Sequence, residues 1–180
     1  MVKIIHDSAT PAHGQQVISV CAFIHYKFDG VLKVFLPMRA LTKKFLPGIY
    51  ELPGGHVDFG EDLVVALKRE VSEEFEMNVN VGDAFAAFTY QNLIKGSHSV
   101  EVIYFASFTD PLDQIKFNPE DHASIGWFTR AEVVANSDRL IPTEHVTQAN
   151  PGDDPEFRSI LKGFDLLNGA GLDFGQAKSI

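Results

Sequence analysis

Between Gly55 and Met77 the chain leaves little choice of local structure. Leu63, Leu67, Val71 and Phe75 recur every fourth residue with Ala66 beside them, which is the spacing of one apolar stripe on an α-helix over Glu61 to Phe75. On the same helix Glu70, Glu73 and Glu74 stand at i, i+3 and i+4, so one edge carries three carboxylates. Five glutamates fall in the sixteen residues from Glu61 to Glu76. Unpaired, such neighbours repel by a few tenths of a kcal/mol per pair, roughly. Clustered oxygen ligands suit a hard divalent cation, Mg²⁺ or Mn²⁺, which usually also binds substrate phosphates. Arg69 lies beside the cluster and can orient Glu70 or Glu61 through a bidentate pair. Upstream, Pro53-Gly54-Gly55 supplies backbone able to approach a metal or phosphate closely. A solvated acidic helix face is the bland alternative for the three glutamates alone.

The rest of the chain places this helix in a mixed fold. Val17–Tyr26 and Val31–Met38 read as a hairpin around Asp29-Gly30. Ile49–Leu52 is a short strand, and Val79–Tyr90 and Ser99–Phe108 are two long ones. Ser124–Phe128 is another short strand. Thr129, with Glu132 in the capping-box position, starts a helix over Arg130–Ala135. Glu156–Leu167 carries a last apolar stripe, and it either covers the sheet or joins a homodimer. Strands and helices mix without strict βαβ alternation, which predicts an α/β (α+β) fold with a mixed sheet packed by helices. Residues 1–14 read as a loose leader, 15–148 as the main domain and 149–180 as a C-terminal extension. At 180 residues the chain is long enough for one sizeable core.

A net charge of −9 argues against a nucleic-acid polymer or an anionic membrane as partner. It allows a small nucleotide, because a bound cation reverses the local field. Cys21 is the single cysteine, which with the lack of a signal-peptide plan at Met1–Thr10 points to a cytoplasmic protein.

The pattern Gly55, five residues, Glu61, seven residues, Arg69-Glu70-Val71-x-Glu73-Glu74, then Met77, resembles the signature of the Nudix hydrolases, in register over 23 residues. Leu52-Pro53-Gly54 and Gly60-Glu61 look typical too. The resemblance implies an α/β/α sandwich around a mixed sheet, and metal-dependent hydrolysis of a diphosphate bond in a small nucleotide. It implies Glu70 and Glu74 as main metal ligands, Glu73 as a direct or water-mediated one, and the carbonyl of Gly54 or Gly55 completing the shell. Glu61 and Arg69 become the residues that hold them. The general base is a signature glutamate or an acid of the distant loop, where Asp121 and Glu120 are the candidates. Arg39, His56 and Tyr50 are candidate substrate contacts. Lys43 and Lys44 complete the basic cluster before the signature. Glu101, flanked by Val100 and Val102, reads as the outward face of a strand. His98, His122 and His145 show no ligand spacing among themselves.

One position departs from the signature: Glu76 stands where the family has the glycine that ends the helix. Either Glu76 takes a left-handed backbone at a cost of about 1 kcal/mol, or Asn78 moves the stop two residues on. The wording around Gly55 looks most like members that convert nucleoside triphosphates to monophosphates and pyrophosphate. ADP-ribose, nucleotide sugars and dinucleoside polyphosphates are rival substrates. A nucleotide-sensing domain without catalysis is the rival of another class.

Overall fold

The computed structural model describes residues 11–144, 146–147 and 154–169. Among the described residues seven strands build one sheet: β1 Gln16–Phe28, β2 Val31–Arg39, β3 Gly54–His56, β4 Val79–Asn92, β5 Ser97–Phe108, β6 His122–Phe128 and β7 Val146–Thr147. Their spatial order is β6-β2-β1-β5-β4-β7, with β3 also on β1. The sheet is mixed, because β1 runs parallel to β5 while its other pairings are antiparallel. Among the described residues three α-helices pack on it: α1 Leu63–Phe75, α2 Arg130–Ala135 and α3 Pro155–Leu167.

Strand parity divides the core in two. Val20, Ala22 and Ile24 of β1 join Phe35 and the α1 stripe Ala66, Leu67, Val71 and Phe75 on one face. Cys21, Phe23, Val34, Leu36 and Ile103 face the other way, against Val133 of α2 and Ile160 and Phe164 of α3. Successive side chains of a strand point to opposite faces, so fully buried runs such as Val20–Ile24 require cover on both. The result is the expected α/β/α sandwich. Aromatic edges lock each side: Phe35 meets Phe75 at 5.2 Å, and Phe23 meets Phe164 at 5.2 Å, both nearly perpendicular. The last helix therefore covers the sheet.

Several local expectations are corrected. Residues 11–14, read as the end of a loose leader, are docked on the β4–β5 turn: the Ala12 N–H donates to Lys95 O at 2.9 Å and the Gly14 N–H to Gly96 O at 3.1 Å. Ile49–Leu52 is not a strand ladder; only Tyr50 bridges to Met38. Pro37 has no N–H to extend that pairing, and the Tyr50 N–H turns to Arg139 O. Glu101 faces inward, at 5% exposure, because its side of β5 lies beneath the second helical layer. His145 and Asn150–Asp153 lie outside the described residues.

Helix α1 begins two residues later than its periodicity suggests. Asp62 is the N-cap, its carboxylate accepting from the N–H groups of Val64 and Val65 at 2.9 and 3.2 Å. The helix stops at the signature position despite the missing glycine. Glu76 has φ 53° and ψ 31°, and its N–H donates to Ser72 O at 3.1 Å. Its carboxylate pairs with Lys116 at 2.6 Å, but both side chains are well exposed and the pair contributes little. Replacing Glu76 with glycine is therefore expected to raise stability by about 1 kcal/mol, read from urea unfolding. A loss of stability would show that the left-handed backbone is not strained here.

Candidate active site

Strand β3 and helix α1 bring the predicted cluster together. Arg69 sits at its centre and uses every guanidinium edge. Its Nε and Nη2 hold the two carboxylate oxygens of Glu61, each at 2.9 Å. Nη1 donates to Glu70 Oε1 at 2.8 Å and to Glu73 Oε2 at 3.3 Å, and Nη2 also reaches the His56 carbonyl at 3.0 Å. Glu61 closes its own loop by accepting the Asp58 N–H at 3.1 Å. One arginine thus ties the loop, β3 and the acidic edge of α1 into one unit, a geometry a lysine has no fork to reproduce. The Arg69 hydrogen bond holds Glu61 below the usual carboxylate range, and Glu61 in turn raises Arg69.

The remaining carboxylates are less contented. Burial pushes Glu70 up to about 7, with Glu74 and Glu73 adding to the rise and Arg69 opposing it. Burial also raises Glu74, opposed by His122. His122 Nε2 lies 3.5 Å from Glu74 Oε1, beyond a good hydrogen bond, while its ring stacks on Phe75 at 5.0 Å. Glu74 Oε2 is buried and has no hydrogen-bond partner among the described residues. Glu73 is the outlying member, with its side chain 53% exposed.

The two glycines matter for distinct reasons. Gly54 has φ 147°, and a Cβ there would lie 2.1 Å from the Val20 carbonyl oxygen of the paired strand. A Cβ on Gly55 would lie 2.6 Å from the Glu70 carboxyl, so only glycine lets that carboxylate approach β3.

A divalent cation is tested against these groups. Half-buried carboxylates whose pKa values burial raises, an orphaned Glu74 oxygen and a glycine cradle facing Glu70 form a hard-oxygen donor set that fits Mg²⁺ or Mn²⁺. The donors do not form a closed cage: among the described residues no three His, Cys, Asp or Glu side chains are grouped at metal-binding spacing. Glu70 and Glu73 instead face Arg69.

A cleft of about 310 Å³ opens beside this cluster. Arg39, Gly54, Gly55 and His56 line it, so two of the expected substrate contacts and both glycines share its lining. Arg39 is fixed by Glu51 at 2.9 and 3.0 Å and by the Phe45 carbonyl at 2.8 Å. Burial alone would lower the Arg39 guanidinium, and Glu51 reverses the direction. Tyr50 is not part of the lining; its ring packs on Phe128 at 4.9 Å. Asp121 and Glu120 are not in the lining either. Asp121 pairs with Lys43 and accepts from Asn118 Nδ2 at 2.9 Å, and the Glu120 N–H donates to Asn118 Oδ1 at 3.0 Å.

Sequence reasoning missed four groups that the fold brings to the area. His122 faces Glu74, and Glu51, Glu101 and Glu156 line the cleft. Burial pushes Glu101 up to about 7 and raises Glu156 well above the usual carboxylate range. A lone acid inside the apolar run of β5 was the visible signal for Glu101.

The NUDIX domain family model matches residues 16–150. Similar solved structures include the MutT protein from Methanosarcina mazei Go1, with 20% identity, 86% of this chain and 96% of that chain covered, and a TM-score of 0.63. An Ap4A hydrolase binary complex from C. elegans shares 21% identity over 86% of this chain and 99% of that one, with a TM-score of 0.63. A MutT NUDIX hydrolase from Burkholderia pseudomallei shares 24% over 82% and 97%, with a TM-score of 0.58. No curated protein matches the chain. At these identities the solved structures bear on the fold. The match over residues 16–150, in a chain whose signature helix, glycines and mixed sheet are all in place, carries the family assignment: the chain belongs to the NUDIX family of pyrophosphohydrolases.

Proposed function

We infer that the protein hydrolyses a diphosphate bond in a small nucleotide, and that it requires Mg²⁺ or Mn²⁺ to do so. The observation that carries this reading is the Arg69-centred carboxylate cluster with the unpartnered Glu74 oxygen. Glu70 and Glu74 would hold the cation, with Glu73 at its rim and the backbone of Gly54 or Gly55 alongside. When bound, the cation neutralises the diphosphate and activates a water.

The chain's own groups do the rest. Arg69 keeps Glu61 and Glu70 in fixed rotamers, so little ordering remains to be done in the transition state. His122 stands against Glu74 and can hold its carboxylate in place. Arg39, held by Glu51 at the cleft wall, presents its charge to a phosphate tail, and His56 adds a second polar contact. Glu120 and Asp121 remain candidates for the proton acceptor. The salt bridge between Asp121 and Lys43 favours a positioning part for Asp121 over free exchange of a proton.

Nucleoside triphosphates, giving monophosphate and pyrophosphate, are the preferred substrate class on the wording of the segment from Leu52 to Glu61. The printed names of the similar structures include both MutT proteins and an Ap4A hydrolase, so dinucleoside polyphosphates stay in contention with ADP-ribose and nucleotide sugars. Turnover of a panel of these compounds with Mg²⁺ or Mn²⁺ tests the choice. Triphosphates are expected to be cleaved fastest, with pyrophosphate as product. Inorganic phosphate as the sole product would contradict that cleavage position, and no turnover of any compound would favour a nucleotide sensor.

A further inference from the structure

The inner wall of the cleft contains a carboxyl group that the hydrolytic chemistry does not use. Glu101 projects from the middle of β5, 5% exposed, and lines the cleft. Ser19, its register partner on β1, donates to Val100 O instead, and Glu101 Oε1 has no hydrogen-bond partner among the described residues. A buried polar atom left this way destabilises the fold, more so when charged, unless something supplies a donor. Glu156, reaching in from α3, spends Oε1 on the Leu52 N–H at 2.7 Å and so serves as a brace. Tyr90 and Phe88 line the same cleft and give a flat ligand an aromatic surface.

The wall is the wrong chemistry for phosphate. Glu51, Asp154 and Glu156 share its lining, so an anionic tail is disfavoured beside Glu101 and a group that brings hydrogen-bond donors is favoured. An acceptor beside aromatic rings suits a flat heterocycle with N–H groups on its edge.

We propose that Glu101 is a specificity-determining residue whose Oε1 accepts a hydrogen bond from the exocyclic amine of a nucleobase. The favoured substrates then carry guanine or cytosine, and counterparts without that amine leave Oε1 unpaired. Sites built to hydrogen-bond a substrate group discriminate strongly against analogues that lack it. This assignment rests on the cleft being the nucleotide site.

The test compares guanosine with inosine triphosphate and cytidine with uridine triphosphate, pairs that share a phosphate tail. The wild-type enzyme is expected to favour the amine-bearing member of at least one pair by about 30-fold in kcat/KM, the size expected for one charged hydrogen bond. Glu101→Met removes the acceptor while keeping an unbranched side chain, and is expected to bring that ratio within about 3-fold. Glu101→Gln keeps an acceptor oxygen and is expected to retain part of the preference. Wild-type turnover with no preference in either pair overturns the assignment and leaves the hydrolase reading intact, whether or not the variants fold. An unchanged ratio in folded Glu101→Met also overturns it. Absence of turnover on all four overturns this assignment together with the triphosphate substrate class, and the wider substrate panel then decides whether another diphosphate bond is cleaved.

Discussion

Glu74→Gln is expected to lower metal-dependent diphosphate cleavage by at least about a hundredfold, roughly 2.7 kcal/mol of transition-state stabilisation. The physical case is specific to this position. Glu74 is half-buried on α1, its Oε2 is buried with no hydrogen-bond partner among the described residues, and burial raises its pKa. Such a carboxylate is costly to the fold and finds its return in a bound cation. Glutamine preserves shape and the Oε1 contact with His122 but removes the charge. Steady-state rates at saturating Mg²⁺, with the unfolding midpoint as a fold control, decide the matter. A folded variant of undiminished rate would remove Glu74 from the proposed metal site.

Gly54→Ala is expected to be the most damaging small substitution in the chain. Its Cβ would meet the Val20 carbonyl oxygen at 2.1 Å and the Cys21 Cα at 2.8 Å, atoms of the β1 backbone and not of a side chain that can swing away. That backbone is itself tied to β5 through nine paired residues from Gln16 to Ile24. The φ of 147° adds conformational strain. Together these costs come to about 4 kcal/mol, or roughly 10 °C in the melting temperature of a domain this size. Gly60→Ala provides the comparison: its φ is 83°, but nothing lies within 4 Å of the new Cβ, so only the backbone term of about 1 kcal/mol applies. Equal melting temperatures for the two variants would show that β3 can shift off β1 without penalty.

What the sequence made legible was local. The i, i+3, i+4 spacing on α1, the Thr129 capping box and the hairpin around Asp29-Gly30 depend on neighbours a few residues away, and they formed as expected. Even the Glu76 departure had a local solution, a left-handed residue that keeps the helix stop in place. Glu101 and His122 depended on something else. Alternation in β5 correctly separated Glu101 from Val100 and Val102, but parity names two faces without saying which is covered. Here both are, and the α3 layer that buries the Glu101 side arrives from more than fifty residues downstream. His122 reaches Glu74 only because β6 pairs with β2 and its first residue lies over Phe75. Tyr50 illustrates the converse: an aromatic beside the glycine loop was a reasonable cleft residue until Phe128 took its ring.

On the proposed function, the acidic edge of α1 works through a divalent cation to cleave a phosphoanhydride. The most direct measurement follows wild-type protein and a nucleoside triphosphate by ³¹P NMR, first with Mg²⁺, then after excess chelator, then after Mg²⁺ is restored. The expected record is conversion to monophosphate and pyrophosphate that stops with chelator and resumes with metal. Cleavage that continues at the same rate in chelator would contradict the account.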